Sequence, residues 1–294
     1  MSPEKARYYV ASFSGGKDST AMVLELIRLG YPLDEVLCCD TTMEFPAMYR
    51  HIERVQKVVE AAGVKFTTLR AEYDFEYYML HYQPKRKNPK LANLRGFSWP
   101  GPTARWCTGV LKTRIVDKYL KTLRAEYNVY QYIGIAADEG YRLARENNQD
   151  PNHIHPLVDW GWDEAKAMAY CRELGYDWEG LYEIFSRVSC WCCPLQPLGE
   201  MKKLRDHFPD LWAHLKWLDS QTWRSYLAND WSVERLEKRF DLEDALEARG
   251  YSLRDRQFYT DLKRYCFSEE VTIGDILDDR QKDEYEQLTI FTEE

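Results

Sequence analysis

The stretch Ser14-Gly15-Gly16-Lys17-Asp18-Ser19 decides the fold of this 294-residue chain. It stands between an apolar, aromatic run typical of a buried strand, Tyr8 to Phe13, and a segment with helical periodicity, Asp18 to Leu29. Two glycines let backbone N–H groups converge on an anion, and the start of the helix adds a favourable dipole. With a lysine and two serine hydroxyls beside them, these glycines predict a phosphate-binding turn. The alternative is a strand–turn–helix corner that needs glycines only for its shape.

Further strands and helices alternate downstream of this turn. Glu35 to Cys39 predicts a second strand, Pro46 to Ala62 a helix, Lys65 to Leu69 a third strand and Tyr130 to Ile135 a later one. This order predicts an α/β fold with a doubly wound, mostly parallel sheet and a helical C-terminal addition. We place a nucleotide-binding domain with the clustered cysteines at residues 1–196 and a mainly helical region at 197–294.

Composition narrows the class of protein. The chain has a formal net charge of −8, 45% hydrophobic residues and no apolar run of the roughly 20 residues that a membrane helix needs. Its N-terminus, Met1 to Lys5, has no apolar signal core, so we expect a cytoplasmic protein without a membrane partner. The negative charge argues against indiscriminate DNA binding through a basic surface.

One segment departs from this acidic balance, because an acid-free stretch carries Lys85, Arg86, Lys87, Lys90 and Arg95. It lies in a long irregular region, about Tyr82 to Thr103, rich in Pro, Gly and Lys. Such a stretch is either a solvated loop or a clamp for a phosphate-bearing substrate.

The clustered cysteines suggest a metal centre. Cys190 and Cys193 form a Cys-x-x-Cys before Pro194, with Cys192 as an additional candidate and Cys107 arriving from a distant helix. An iron–sulfur cluster, a zinc ion and free thiols are the alternatives. The other cysteines fit a packed core; these are Cys38, Cys39, Cys171 and Cys266.

Several motifs together resemble a known superfamily. Ser14 to Ser19 resembles the PP-loop of the ATP pyrophosphatases, which have an adenine nucleotide alpha hydrolase-like fold. Three further motifs look like the sulfonucleotide (PAPS) reductase branch: Asp40-Thr41-Thr42-Met43-Glu44-Phe45-Pro46; Arg105-Trp106-Cys107-Thr108 with Lys112; and Gly134 to Glu139 with Arg142. The motifs occur in the family's order and cover about residues 8 to 195.

The resemblance implies ATP with Mg²⁺ as the nucleotide, held by its β- and γ-phosphates while the α-phosphate is attacked to give pyrophosphate. It implies catalytic roles for Lys17, Asp18 and Ser19. The implied nucleotide-binding residues are Ser12, Phe13, Ser14, Gly15, Gly16, Lys17, Asp18, Ser19, Asp40, Thr41, Gly134, Asp138 and Arg142. The expected substrate contacts are Lys85, Arg86, Lys87, Arg95, Arg105 and Lys112.

The resemblance also favours a [4Fe–4S] cluster over zinc. Assimilatory reductases, DNA phosphorothioation proteins and some tRNA thiolases of this superfamily bind such clusters through cysteines that match Cys107, Cys190 and Cys193. Reductases with a cluster have a cysteine pair on the helix, whereas here Trp106 precedes Cys107. The fourth ligand therefore stays open between Cys192, a substrate or sulfide, and none.

These features predict an ATP-dependent sulfurtransferase that activates its substrate by adenylylation, with DNA phosphorothioation or tRNA thiolation as its setting. The expected partners are a sulfur donor such as a cysteine desulfurase, an electron donor, a nucleic-acid substrate or larger complex, and a second copy in a homodimer. A sulfonucleotide reductase and a non-catalytic nucleotide sensor are the alternatives. A reductase needs an exposed, mobile cysteine near its C-terminus. Cys266, between Tyr265 and Phe267, is instead expected to be packed.

Overall fold

The computed structural model of the chain describes residues 5–144 and 149–292, and gives the backbone alone for residues 284–292. The chain forms two compact units, Met1–Lys203 and Leu204–Glu294. Within the described ranges, no helix combines the length and the apolar character that crossing a membrane requires.

The first unit is built on a five-stranded sheet in the order β3-β2-β1-β4-β5, and every pairing of neighbouring strands is parallel. The strands are β1 (Arg7–Phe13), β2 (Glu35–Asp40), β3 (Lys65–Arg70), β4 (Asn128–Ile133) and β5 (His153–Ile154). The central strand β1 is buried, with Val10 and Ala11 fully enclosed. This sheet and its flanking helices confirm the predicted α/β fold.

Helices connect these strands. They are α1 (Lys17–Arg28), α2 (Pro46–Ala61), α3 (Phe75–Leu80), α4 (Trp106–Thr108), α5 (Arg114–Glu126), α6 (Gly140–Leu143), α7 (Pro156–Asp159), α8 (Glu164–Glu173), α9 (Leu181–Ile184) and α10 (Leu198–His207). Short 3₁₀ turns lie at Pro89–Leu91 and Trp178–Gly180. A π-helical segment, Gly109–Thr113, joins α4 to α5. Such π segments interrupt α-helices most often at functional sites.

Packing follows from the apolar patterning of the strands. Leu120 of α5 packs in one cluster with Val10, Leu37 and Val129 of three neighbouring strands. Local signals fix the helix starts: Pro46 opens α2, and the Asp163 carboxylate accepts the Lys166 N–H at 2.7 Å to cap α8.

The second unit is helical, which confirms the predicted C-terminal addition. It contains α11 (Pro209–Ser220), α12 (Val233–Ala248), α13 (Arg256–Cys266) and α14 (Ile273–Thr292). Its core includes Leu246, Phe258 and Ile276, and Cys266 is buried among them. A buried ion pair joins Arg280 to Asp261 at 2.6 Å.

Candidate active site

The candidate site lies at the carboxyl edge of the sheet. Strand β1 pairs with β2 on one side and with β4 on the other, so the chain segments that follow these strands meet at one edge. The strand order reverses between β1 and β4, and ligands of open α/β sheets bind in the crevice at such a switch point. The segments there are Ser14 to Ser19, Thr41 to Glu44, and Gly134 to Glu139.

Two glycines shape the crevice. Gly15 has φ +78°, and a Cβ there would lie 2.7 Å from Met48 Sδ. A Cβ on Gly134 would lie 3.1 Å from both the backbone N and the Cα of Ser19. The loop after β1 and the end of β4 therefore approach each other so closely that a side chain at Gly134 would require the Ser19 backbone to shift.

Hydroxyl groups organise the loop itself. Ser19 Oγ donates to Gly16 O at 3.0 Å and accepts the Ser14 N–H at 3.2 Å. The Lys17 N–H donates to Tyr182 Oη at 3.1 Å. The loop therefore has a set backbone geometry, and Tyr182 is a contact that the sequence did not reveal.

Lys17 is held by two carboxylates. Its Nζ donates to Asp18 Oδ2 at 3.0 Å and to Glu164 Oε2 at 2.6 Å. Burial alone would lower the pKa of Lys17, but the bonds to Glu164 and Asp18 hold it above its ordinary value, so the amine stays charged. A bound polyphosphate would compete with these carboxylates for the same amine. Glu164, in the first turn of α8, is a second loop contact that the sequence did not reveal.

Asp18 has the features of a cation ligand. Its Oδ1 is buried and accepts no hydrogen bond from the described residues. Burial raises the pKa of this carboxyl group while Lys17 opposes the rise. A buried carboxylate oxygen without a donor suits a hard divalent cation, so the residues present fit Mg²⁺.

A buried group of side chains supports the loop from behind. Thr20 Oγ1 lies 2.9 Å from His51 Nε2, and the His51 ring stacks on Trp178 with 4.5 Å between ring centroids. The Trp178 indole N–H donates to Gly15 O at 2.7 Å. Burial lowers the pKa of His51 to about 4, so this imidazole is neutral near pH 7.

The turn after β2 is organised by Asp40. Its Oδ1 accepts the Thr42 N–H at 2.7 Å and the Tyr49 hydroxyl at 3.0 Å, while Oδ2 is paired with Arg70. The Asp40 carboxylate thereby fixes the turn, in which Thr42 adopts φ +64°. Thr41 Oγ1 donates to Glu44 Oε1 at 3.0 Å. Asp40 and Thr41, the two predicted nucleotide contacts of this turn, are therefore both hydrogen-bonded to other residues of the protein.

The segment after β4 carries the other predicted nucleotide contacts. Asp138 Oδ1 accepts the Glu164 N–H at 3.2 Å, which joins this segment to α8 beside Lys17. Arg142 forms an ion pair with Glu139 in the short helix α6. Asp138 and Lys17 therefore share Glu164 as a neighbour.

The clustered cysteines adjoin the turn after β2. The Cys193 N–H donates to Cys190 O at 3.2 Å, which closes the Cys-x-x-Cys turn, and the Trp191 N–H donates to Met43 O at 3.1 Å. Cys190 Sγ lies 3.4 Å from Glu44 Oε1 and 3.4 Å from Thr41 Oγ1. Cys190 thus contacts the turn that follows β2, while the phosphate loop follows the adjacent strand β1.

Cys192 lies near the other three candidate cysteines. Burial raises the pKa of the Cys192 thiol, and nearby thiols raise it further; these are Cys190, Cys193 and Cys107. Within residues 5–144 and 149–292, no three His, Cys, Asp or Glu side chains are spaced to hold a single metal ion. A four-iron cluster is larger than one ion, so its thiolates stand farther apart than the ligands of a zinc.

The charges around these thiols suit an anionic centre. Burial alone would lower the pKa of Lys112, but Cys190, Glu44, Cys39 and Cys107 together hold it above its ordinary value. Burial raises the pKa of the Cys193 thiol, and Arg105 and Arg187 partly oppose that rise. Soft cysteine sulfurs beside the half-buried Lys112 and the exposed Arg105 and Arg187 fit the chemistry of an iron–sulfur cluster.

The remaining cysteines lie elsewhere. Burial raises the pKa of the Cys38 and Cys171 thiols to about 12 and that of Cys266 to about 11. Cys171 Sγ nonetheless reaches the loop, because it donates to Lys17 O at 3.5 Å. Cys39 is half-buried and its charge acts on Lys112.

The predicted basic clamp is a folded loop. The Arg86 guanidinium donates to the carbonyls of Leu91, Leu94 and Gly96, so it is a brace within its own loop. The exposed cations of this loop are Lys85, Lys87, Lys90 and Arg95.

Comparison with known proteins agrees with this geometry. The family model of the phosphoadenosine phosphosulfate reductase domain matches residues 8–196. Two uncharacterized proteins of Methanocaldococcus jannaschii are similar: MJ0066, 28% identical over 215 residues, and MJ0973, 25% identical over 213 residues. Each match covers 71% of this chain but only 40% and 46% of those relatives, so this chain spans less than half of their length.

One solved structure shows a distant likeness. It is the U34-tRNA thiolase NcsA from Methanococcus maripaludis with its [4Fe-4S] cluster, 15% identical with a TM-score of 0.38. The match covers 72% of this chain and 67% of the thiolase chain. A likeness of this degree assigns neither substrate nor cluster to this chain.

Proposed function

Because the chain belongs to the phosphoadenosine phosphosulfate reductase domain family through residues 8–196, we propose that it is a nucleotide-dependent enzyme of sulfur chemistry. In its finer form, the proposal is a sulfurtransferase that cleaves ATP to AMP and pyrophosphate, adenylylates an acceptor and supports sulfur transfer to it. DNA phosphorothioation and tRNA thiolation are the two settings that fit a phosphate- or base-bearing acceptor.

One observation carries this proposal. The candidate thiols are joined to the turn after β2 through the 3.4 Å contact between Cys190 and Thr41, while the phosphate loop follows the adjacent strand β1. Nucleotide activation and sulfur chemistry can therefore serve one acceptor at one edge of the sheet.

The loop residues have defined tasks in this scheme. Lys17 and the backbone N–H groups around Gly15 and Gly16 hold the β- and γ-phosphates, where the loop and the start of α1 favour an anion. Asp18 holds Mg²⁺ through its free oxygen. Ser19 keeps the loop closed through Gly16 O.

The proposed reaction has two steps. An oxygen of the acceptor attacks the α-phosphorus of ATP, and the bond to the β,γ-pyrophosphate breaks. A sulfur nucleophile then displaces AMP, which leaves with the acceptor oxygen. The sulfur comes from a hydrosulfide or a persulfide donor such as a cysteine desulfurase, and a persulfide requires two electrons from an electron donor.

Cys107, Cys190 and Cys193 would hold a [4Fe–4S] cluster, with Cys192 beside them as a further ligand. When bound, such a cluster supplies electrons or holds a sulfur atom. Lys112 remains cationic among these thiols and offsets their negative charge.

The state of Cys266 favours a transferase over a reductase. This cysteine is only 3% exposed, at the end of α13 in the helical unit, and burial raises the pKa of its thiol to about 11. A nucleophilic thiol must be exposed and readily ionised, so Cys266 does not suit attack on a sulfonucleotide.

Product analysis tests the proposal. Purified protein incubated with ATP, Mg²⁺, a sulfide source and nucleic acid should release pyrophosphate and AMP. Lys17→Ala should lower that rate on the order of 100-fold, because it removes a charge aimed at the phosphates. The matched control is Lys216→Ala, which removes another carboxylate-paired lysine, in the helical unit, and should leave the rate unchanged.

Other products identify the alternatives. ADP and phosphate would contradict the assignment of the phosphate loop. Sulfite from adenylyl sulfate with a thiol reductant, lost in Cys266→Ser, would show a reductase. ATP binding without any cleavage would show a nucleotide sensor.

A further inference from the structure

An exposed aromatic stripe, formed by Tyr73, Tyr77 and His81, spans the short helix α3 and the residues that flank it. Tyr73 and Tyr77 are 38% and 37% exposed, and their rings stack with 4.1 Å between centroids at 24°. His81, one further turn along, is exposed and lies 5.9 Å from the Tyr77 ring. Tyr73 precedes the helix and His81 is its C-cap, so three exposed rings follow one another, with the His81 ring tilted 55° from that of Tyr77.

A preformed basic loop folds back onto the same helix. The N–H groups of Gly96, Phe97 and Ser98 donate to the carbonyls of Tyr82, Tyr78 and Met79 at 2.8 to 2.9 Å. A Cβ on Gly96 would lie 1.9 Å from Met79 O, so the return requires glycine. Together with the Arg86 brace, these contacts fix the loop before any ligand arrives.

The lysines of this loop are not neutralised. The ammonium groups of Lys85, Lys87 and Lys90 pair with no carboxylate in the described part of the chain, and Arg95 is exposed beside them. Residues 77–116 contain no Asp or Glu and eight Lys or Arg, although the whole chain has a net charge of −8. This region is the strongest local attraction for a polyanion in the sequence.

Two exposed acids, Glu72 and Asp74, lie just before α3. The Asp74 carboxylate accepts the Tyr77 N–H at 2.7 Å and caps the helix. The nearby Glu72 carboxylate raises the pKa of the Tyr73 hydroxyl. Negative charge therefore lies at one end of the aromatic stripe and positive charge along the loop at the other.

The same loop is tied to the candidate thiols. Phe97 stacks on Trp106 with 5.1 Å between centroids, and Trp106 stacks on Phe75 of α3 at 5.0 Å. The Trp106 indole N–H donates to Ser98 O at 2.9 Å. Cys107 is the next residue, so the loop and this thiol share one anchor.

We propose that this surface, Tyr73, Tyr77 and His81 together with the loop of residues 83–95, binds the unpaired strand of a nucleic-acid acceptor. Stacked tyrosines fit planar bases, and the cations follow a phosphate backbone; this combination is characteristic of single-strand binding. An acidic protein would pair with the loop cations but would not stack bases on the tyrosine rings. The inference rests on the proposed function only in that the bound strand is its acceptor.

Binding of a labelled single-stranded 20-nucleotide oligomer, followed by fluorescence anisotropy without ATP, tests the surface. Tyr73→Ala with Tyr77→Ala should weaken binding by at least about tenfold, because both rings on which bases would stack are lost. Lys85→Glu with Lys87→Glu should weaken binding and make the slope of log K against log salt shallower by about one to two. Tyr77→Phe keeps the ring and should bind as the wild type does.

The matched control lies on α13 of the helical unit. Tyr259, 60% exposed, and Lys263 also share an exposed helix face, and Tyr259→Ala with Lys263→Glu should leave binding unchanged. Circular dichroism confirms that each variant is folded. Equal loss in the control variant, tighter binding of duplex than of single strand, or equal binding of polyglutamate would overturn the proposal.

The assay separates this proposal from the catalytic one. Lys17→Ala should bind the oligomer normally while releasing no pyrophosphate. If the wild type binds the strand but never cleaves ATP, the catalytic proposal fails and the surface stands. If the wild type releases pyrophosphate with an acceptor but binds no strand, the surface fails and the catalytic proposal stands.

Discussion

Acid should destabilise the nucleotide-binding unit through His51, which packs behind the phosphate loop. Burial, together with the nearby Arg54, lowers the pKa of His51 from 6.5 to about 4. The unfolded chain therefore binds a proton at a pH where the folded chain does not. Stability is complete above about pH 6.5 and falls as the pH drops towards 4.

The size of the effect follows from that difference. At 1.36 kcal/mol per pKa unit, the full loss is about 3 kcal/mol, and about 2 kcal/mol of it is reached by pH 5. His51 is only 5% exposed, so solvent screening reduces this figure little. A loss of 2 kcal/mol is a large part of the net stability of a domain.

His51→Gln isolates this contribution, because glutamine can reach Thr20 but does not titrate. Urea unfolding at pH 7.5 and pH 5, read by hydrogen exchange of α1 and α2 peptides, measures the unit that contains the loop. The wild type should lose about 2 kcal/mol more than His51→Gln between these pH values. His207→Gln, at an exposed position, should behave as the wild type does. The same loss in His51→Gln and the wild type would refute the reasoning.

Two further predictions concern the loop and the thiols. Gly15→Ala should abolish pyrophosphate release or fold stability, because its Cβ would meet Met48 Sδ. The control Gly63→Ala has the same φ of +78°, with no neighbour within 4 Å of its Cβ. It should lower the stability to thermal unfolding by only about 1 kcal/mol. Protein purified without oxygen should contain about four irons per chain by metal analysis. The ligand variants Cys107→Ser, Cys190→Ser and Cys193→Ser should each lower that iron content. The core variants Cys38→Ser and Cys171→Ser should not. Stoichiometric zinc in the protein would contradict the cluster.

The sheet and the loop were predictable because their signals are local. An apolar run, two glycines and a helical period follow one another between Tyr8 and Leu29, and each needs only its sequence neighbours to be interpreted. The polar segments after β2 and β4 could be placed at one edge for the same reason, since parallel strands end together.

The partners of the loop could not be predicted, because they come from distant parts of the chain. Glu164 contacts Lys17 across 147 residues, Tyr182 contacts the same residue across 165, and Trp178 contacts Gly15 across 163. No local pattern marks these side chains, since Glu164 is one acid among 48 Asp and Glu. The role of Arg86 was hidden similarly, because only the folded loop brings three carbonyls to its guanidinium.

Trp106 stands where cluster-bearing reductases have a second cysteine beside Cys107. A cysteine at this position would offer a ligand, but it could not stack between Phe75 and Phe97 or donate to Ser98 O, as the indole does. The start of the helix that presents Cys107 therefore also holds the basic loop. Movement of the loop upon a bound strand would be transmitted to the neighbouring thiol through this one side chain. If the proposed surface binds an acceptor strand, the packing of Trp106 would couple that surface to Cys107 without a second cysteine on that helix.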